Sequence, residues 1–356
     1  MTTGILLAIT LDNALAFTQG CICMFLLTAG IYFLSQRGNR LKRMLGWILL
    51  FWFGLHMKDL LLLDASASDY EYMQELLMSV DMLAVPTCAF LLLELAHPGW
   101  LTWRKAILHE APFVLFALLY LLRPTNIVFA VNIVIALLYG LSVIFHLFRA
   151  IPRYNRMLSE NYSYTDDIDL VWLWKLLIFF IFFLVVWAYS CIRLSADADI
   201  LYNLASCGLW AVICYYIDRQ ELPPLGDGGG SQGALESVSN ETAYKPPFAE
   251  TLEELFTVQR LWLNPRLTIH DVAQALGTNR TYLSDYLNRS LGTTFYEYVN
   301  AYRIRAVAEQ LASPSCTLTI EAVAESCGFN SVSTFRRVFI RHYGCTPNRY
   351  KSKHGR

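Results

Sequence analysis

Residues 267–292 read LTIHDVAQALGTNRTYLSDYLNRSLG, and residues 318–344 read LTIEAVAESCGFNSVSTFRRVFIRHYG. The second stretch repeats the first. Leu267-Thr268-Ile269 recurs as Leu318-Thr319-Ile320, Val272-Ala273 as Val323-Ala324, Gly277 as Gly328, and Gly292 as Gly344. Each copy predicts a helix, a turn and a second helix. Thr268 and Thr319 have the side chain of an N-cap, and Ile269, Val272, Ala273 and Leu276 follow helical spacing. Gly277 and Gly328 stand where a left-handed residue would end the first helix. Asn279, and Ser331 or Asn330, can cap the next. In the second helices, Leu283, Tyr286 and Leu287, and Phe335, Val338, Phe339 and Tyr343, form one apolar face each. Thr281, Ser284, Asp285 and Asn288, and Val332, Ser333, Arg336 and Arg337, fall on the opposite faces. A helix pair whose second member offers one polar or basic face is the arrangement that enters the major groove of DNA.

Working outward, a further helix is expected near Tyr298–Leu311, and the run GFNSVSTFRRVFIRHYGCTPNRY ends at Tyr350. Together these stretches resemble the DNA-binding domain of the AraC/XylS family of transcriptional regulators, over about 100 of the 356 residues. The resemblance implies an all-α domain in which a long helix joins two helix-turn-helix units that reach successive major grooves of double-stranded promoter DNA. Carried over residue by residue, it makes Thr281, Ser284 and Asp285 base-facing in the first unit, and Val332, Ser333, Arg336 and Arg337 in the second. Arg336 and Arg337 suit guanine edges or phosphate. Arg280, Arg289 and Arg341 suit phosphate. Asp285 departs from the basic or amide residue usual at its place, and a carboxylate repels phosphate, so the first unit is expected to contribute less affinity. The family also implies contact with RNA polymerase.

The rest of the chain is chemically different. Overall 55% of residues are hydrophobic, only 16% are charged, and the formal net charge is −1. Soluble domains average roughly 25% charged residues, so an ordinary cytosolic enzyme is excluded, and disorder more strongly. The near-zero charge is a cancellation. Residues 251–356 hold 13 Lys and Arg against 8 Asp and Glu, leaving 15 against 21 in residues 1–250. A bilayer span needs about 20 mostly apolar residues. Segments 13–34, 44–63, 76–97, 106–122, 126–148, 170–192 and 200–217 meet or approach that length. The expected fold class is therefore all-α: a bundle of about seven transmembrane helices at 1–218, a flexible linker at 219–250, and the two-unit domain at 251–356.

Lys and Arg concentrate in alternate loops. Arg37, Arg40, Lys42, Arg43, Arg104, Lys105, Arg149, Arg153 and Arg156 lie on one side, and only Arg123 and Arg193 on the other. The basic side faces the cytoplasm. The expected location is thus a bacterial inner membrane, with the N-terminus outside and the C-terminal domain inside. Ionisable residues within spans are costly and mark function by default. His56, Lys58, Asp59 and Asp81 are the expected sensor site, or a pairing that ties helices together. Glu94, His97, His109, Glu110 and His146 form a second group nearer the cytoplasmic face. No cofactor, metal or catalytic residue is expected. A phosphate-binding Gly-Lys-Ser/Thr loop does not occur, and Gly226–Gly230 lie in a Pro/Gly/Ser-rich stretch. That linker would span roughly 30 Å as a coil and transmit no rigid stroke.

The function expected is a membrane-embedded one-component transcriptional regulator. Its partners would be double-stranded DNA, the lipid bilayer, a second copy of itself, RNA polymerase and a ligand of unspecified chemistry. A transporter or channel with an attached regulatory domain is the alternative. It would show internal pseudo-symmetry with broken helices in both halves, and the sequence has no such repeat.

Overall fold

A computed structural model describes residues 2–36, 38–59, 70–165, 168–193, 195–220 and 246–354. Among them the regular structure is helical, with no β-strand. The chain divides into two compact units, one formed by 1–154 and 170–220, the other by 155–169 and 221–356. The expected linker at 219–250 lies mostly outside the described residues. Helices reach both its ends, one closing at Arg219 and another opening at Ala249.

The first unit contains α1 (Thr2–Ser35), α2 (Arg40–Lys58), α3 (Tyr70–Asp81), α4 (Ala84–Ala96), α5 (Trp103–Leu122), most of α6 (Asn126–Asn161), α7 (Val171–Arg193) and α8 (Ala196–Arg219). Six segments are long and apolar enough to cross a membrane: Asn13–Ser35, Tyr72–Ala96 across α3 and α4, and α5 to α8. The seventh expected span corresponds to α2, a 19-residue helix with Arg40, Lys42 and Arg43 in its first turn and Lys58 at its end. Close helix approach needs small residues where side chains cannot interdigitate. Gly30 on α1 and Gly46 on α2 supply it. A Cβ on Gly46 would stand 2.8 Å from the backbone nitrogen of Leu34 and 3.0 Å from the carbonyl of Gly30. The outward faces are apolar as well, including Phe17, Leu108, Leu122, Ile127, Ile178 and Ile192, the last four at 67–78% exposure.

In the second unit, α9 (Ala249–Thr257) leads through a 3-10 turn, Leu261–Leu263, to α10 (Ile269–Ala275) and α11 (Arg280–Asp285). A π-turn, Tyr286–Ser290, extends α11. Then follow α12 (Phe295–Ala312), α13 (Ile320–Ser326), α14 (Val332–Tyr343) and α15 (Pro347–His354). The caps read from the repeat are present. Thr268, Asn279, Thr319 and Ser331 each accept the backbone N–H three residues on, and Thr268 with Asp271 forms a reciprocal capping box, as Thr294 with Glu297 does on α12. The core joins Leu252, Val272, Leu283, Val299, Val307, Val323, Phe335 and Phe339, so both repeats pack against α12 rather than standing alone.

Gly328 and Gly292 both have positive φ, +83° and +63°. They differ in surroundings. A Cβ on Gly328 would meet the carbonyl oxygens of Trp262 and Leu263 at 2.6 and 2.9 Å, whereas none of the surrounding atoms comes within 4 Å at Gly292. Gly292→Ala should therefore cost only the left-handed penalty of about 1–2 kcal/mol. Gly328→Ala adds a backbone clash, and the domain should become markedly more sensitive to limited proteolysis and lower-melting. Equal sensitivity of the two variants would contradict this packing.

Candidate nucleic-acid interface

The two second helices, α11 and α14, bury one face each and expose the other. Leu283, Leu287, Phe335 and Phe339 are buried, while Thr281, Asp285, Val332, Ser333, Arg336 and Arg337 are exposed and Ser284 is half-buried. The expected base-facing residues thus occupy the outward surface of two capped helices anchored in one core. Asn279 and Ser331 begin these helices, and the N-terminal turn of such a helix is the part that approaches base edges.

The arginines have protein partners in the absence of DNA. Arg336 Nη2 lies 2.8 Å from Glu321 Oε1 on α13, with both side chains about half exposed. Arg337 Nη2 donates to Thr334 Oγ1 on its own helix at 3.0 Å. Arg341 pairs with Glu297 at 3.1 Å, and Arg289 with Asp285 at 3.7 Å one turn away. Arg280 is exposed at the first position of α11. Exposed ion pairs contribute about 0–1 kcal/mol, less than a good arginine–guanine contact at about 1–3 kcal/mol. These pairs orient the guanidinium groups without holding them back. The structure also gives Asp285 a role that the sequence did not suggest, as the partner of Arg289.

Behind this surface lies a cluster that sequence reasoning missed. Arg303 on α12 is 1% exposed. Its Nε donates to Trp262 O at 2.8 Å, Nη1 to Ser163 O at 3.0 Å and Asn300 Oδ1 at 3.3 Å, and Nη2 to Asn264 O at 2.7 Å and Ser163 Oγ at 3.1 Å. All five donors of the guanidinium are used. Every acceptor is neutral, and burial pushes the group down to about 10, still charged at neutral pH. A signal for it did exist. Phe295, Val299, Arg303, Val307 and Leu311 recur every four residues on the buried stripe of α12, and an arginine there needs acceptors for its five N–H bonds.

In the first unit the expected sensor residues do converge. Lys58 Nζ donates to Asp59 Oδ1 at 2.6 Å and to Asp81 Oδ2 at 2.8 Å, joining the end of α2 to the end of α3. Gln19 on α1 donates to the carbonyl of buried His56 at 2.8 Å, and Tyr202 on α8 stacks on the His56 ring. Neither Gln19 nor Tyr202 was singled out from sequence. A cavity of about 70 Å³ lined by Trp52, Asp81, Cys88, Trp187 and Tyr202 adjoins the cluster. The second group does not converge. Glu94 accepts from the backbone of Gly99 and Leu101, His97 and His146 are 3.3 Å apart, His109 bonds Tyr139, and Glu110 accepts from Thr87. No set of three metal-ligating side chains assembles among the described residues.

The helix-turn-helix domain family matches residues 272–353. The chain is 28% identical over 86 residues to the RCS-specific HTH-type transcriptional activator RclR of Escherichia coli, covering 24% of this chain and 30% of that protein. It is 32% identical over 85 residues to the melibiose operon regulatory protein of Escherichia coli, at 24% and 28% coverage. With the HTH-type transcriptional regulator YtdP of Bacillus subtilis it shares 30% identity over 87 residues, 24% of this chain and 11% of that one. A solved structure from Listeria innocua, of unknown function, aligns with 31% of this chain and 99% of its own at 24% identity and a TM-score of 0.27. The chain thus spans about a tenth to a third of the length of these regulators. The C-terminal region carries a helix-turn-helix domain similar to those of the transcriptional regulators it matches.

In a binding titration at fixed salt, Arg336→Ala or Arg337→Ala should weaken binding to duplex DNA by about 1–3 kcal/mol. Ser284→Ala should cost less, because it removes no charge. Glu321→Gln removes the carboxylate that competes for Arg336 and should tighten binding a few-fold, an effect lost at high salt. Equal losses for Arg336 and Ser284 would count against this assignment.

Proposed function

We propose that this chain is a membrane-embedded one-component transcriptional regulator. Its C-terminal domain binds promoter DNA through Thr281, Ser284, Asp285, Val332, Ser333, Arg336 and Arg337 toward the bases, with Arg280, Arg289 and Arg341 toward phosphates. The observation that carries this reading is the pairing, in one chain, of two capped helix-turn-helix units with six helices whose outward faces are Leu, Ile, Val and Phe. Soluble monomers rarely expose contiguous apolar patches beyond about 300–600 Å², whereas a bilayer solvates such faces directly. The charge asymmetry of the loops puts the DNA-binding domain on the cytoplasmic side of a bacterial inner membrane, where the chromosome is, and the N-terminus outside.

The Lys58–Asp59–Asp81 cluster, with His56, is the sensor element of this reading. Burying a charged pair among apolar helices is expensive and specifies one helix arrangement. A ligand or proton that altered the pairing would shift α2 against α3. The domain's surplus of five positive charges is modest. Confinement to the membrane or association with a second copy would raise the effective concentration at paired sites. Chromosomal occupancy, mapped for the intact chain and for the Arg336→Ala/Arg337→Ala double variant, tests the reading. Discrete promoter-proximal sites that disappear in the variant are expected. Identical occupancy, or no discrete sites, would overturn it. Lys58→Met, which breaks the pairing with Asp59 and Asp81, should alter expression of the genes so mapped.

A further inference from the structure

The second unit is not built from the C-terminal region alone. Residues 155–169, which follow the fifth expected span and precede the sixth, belong to it. At their centre Ser163 is 1% exposed. Its backbone N–H donates to Leu267 O at 3.1 Å, and Tyr162 forms an antiparallel bridge with Thr268. Its carbonyl accepts from Asn300 Nδ2 at 3.1 Å and Arg303 Nη1 at 3.0 Å, and its hydroxyl from Arg303 Nη2 at 3.1 Å. One residue of an interhelical loop therefore engages the first repeat, just before the N-cap of α10, and also the helix that joins the two repeats. Two of the five donors of Arg303 end on it.

That geometry has an energetic consequence. A buried donor left without an acceptor costs about 1–3 kcal/mol, more when it is charged. The remaining acceptors, Trp262 O, Asn264 O and Asn300 Oδ1, leave two N–H bonds of the guanidinium unmatched when the loop departs, unless water enters. Docking of Ser163 therefore stabilises the closed arrangement of the domain. Arg303 also holds the Trp262–Asn264 turn, which touches the Gly328 turn of the second repeat. Both helix-turn-helix units are in reach of the change.

Resting on the DNA-binding reading above, we infer that residues 155–165 form a strap whose docking at Leu267–Thr268, Asn300 and Arg303 sets the DNA affinity of the domain, and that the loop between the two spans carries the signal. The Gly-rich stretch at 221–245 is then a tether only. The strap is placed to do this by chain connectivity, since any shift of the helices flanking it acts on Ser163 without passing through the Gly-rich segment. In this role Arg303 is a positioning residue, distinct from the arginines that face DNA.

The test uses the full chain in inside-out membrane vesicles with Tyr162→Cys, Thr268→Cys and a protease site in the linker. Facing residues of an antiparallel bridge are within disulfide reach. After oxidation and linker cleavage, the C-terminal fragment should remain attached on a non-reducing denaturing gel and be released by reductant. Failure to cross-link overturns the docking. The same pair is then placed in a Ser163→Pro background, where loss of the N–H and hydroxyl frees the strap and oxidation re-docks it. Oxidised and reduced forms of that single protein, titrated with a duplex selected by the full chain from a random-sequence pool, should differ in affinity by about five-fold or more. A smaller difference overturns the inference. Because both forms are the same polypeptide, misfolding cannot imitate the expected result. If the full chain selects no duplex at all, the DNA-binding reading itself fails; if it selects one and is indifferent to the cross-link, only the strap fails. Inserting about ten residues in the Gly-rich stretch should leave affinity and its redox response unchanged.

Discussion

A charged guanidinium buried at 1% exposure must find an acceptor for each of its five N–H bonds, and the DNA-binding unit is arranged around meeting that demand. Arg303 draws in the turn after α9, a side chain of its own helix and a segment from more than a hundred residues earlier in the chain. These acceptors are neutral, so the site depends on geometry instead of charge neutralisation. Hydrogen bonds to a charged donor are worth about 1.5–3 kcal/mol each, more than a typical neutral pair. The Gly328 turn lies against one of these carbonyls, that of Trp262, and against the neighbouring Leu263 carbonyl, which is why that position has no room for a Cβ. The two repeats are thereby held in one relation to α12.

The apolar unit answers a different constraint. Its helices satisfy their backbone groups internally, and its outward faces carry residues that water would exclude. Within it, some polar groups from different helices meet. The Lys58–Asp81 contact ties α2 to α3, and the bond from Gln19 brings α1 to the backbone of His56. Opposite charges in so apolar a setting restrict how the helices can slide. A bundle of purely apolar helices would slide past one another at little cost. The polar pairs therefore favour discrete arrangements.

Much of this was legible in the residues. The repeat at a 51-residue offset, the threonine caps and the paired glycines located both helix-turn-helix units, because capping and left-handed turns are local chemistry. The outward positions of Arg336 and Arg337 followed from helical spacing. Long apolar runs announced the bundle, though α2, charged at both ends, stands apart from the six helices with unmistakable composition. The four residues of the expected sensor group do meet, since Lys58 and Asp59 are neighbours and Asp81 is the nearest acidic group on the next helix. Gln19 and Tyr202 were invisible, because a single polar residue on an apolar helix gives no indication of what it faces. Glu94 and His97 share a helix face by spacing yet find separate partners.

By itself the sequence separated an apolar half, with runs long enough to suit lipid, from a basic half with two capped helix-turn-helix units. Those properties arise from composition and from contacts within a few residues. Only the tertiary structure decided that Ser163, in a loop between two apolar helices, completes the domain that begins some eighty residues later. Such a contact leaves no periodicity or motif, since it consists of one backbone carbonyl and one hydroxyl meeting a buried arginine, and one N–H meeting the carbonyl of Leu267. Every residue but proline carries a backbone carbonyl and an N–H, and what distinguishes this one is where the fold brings it.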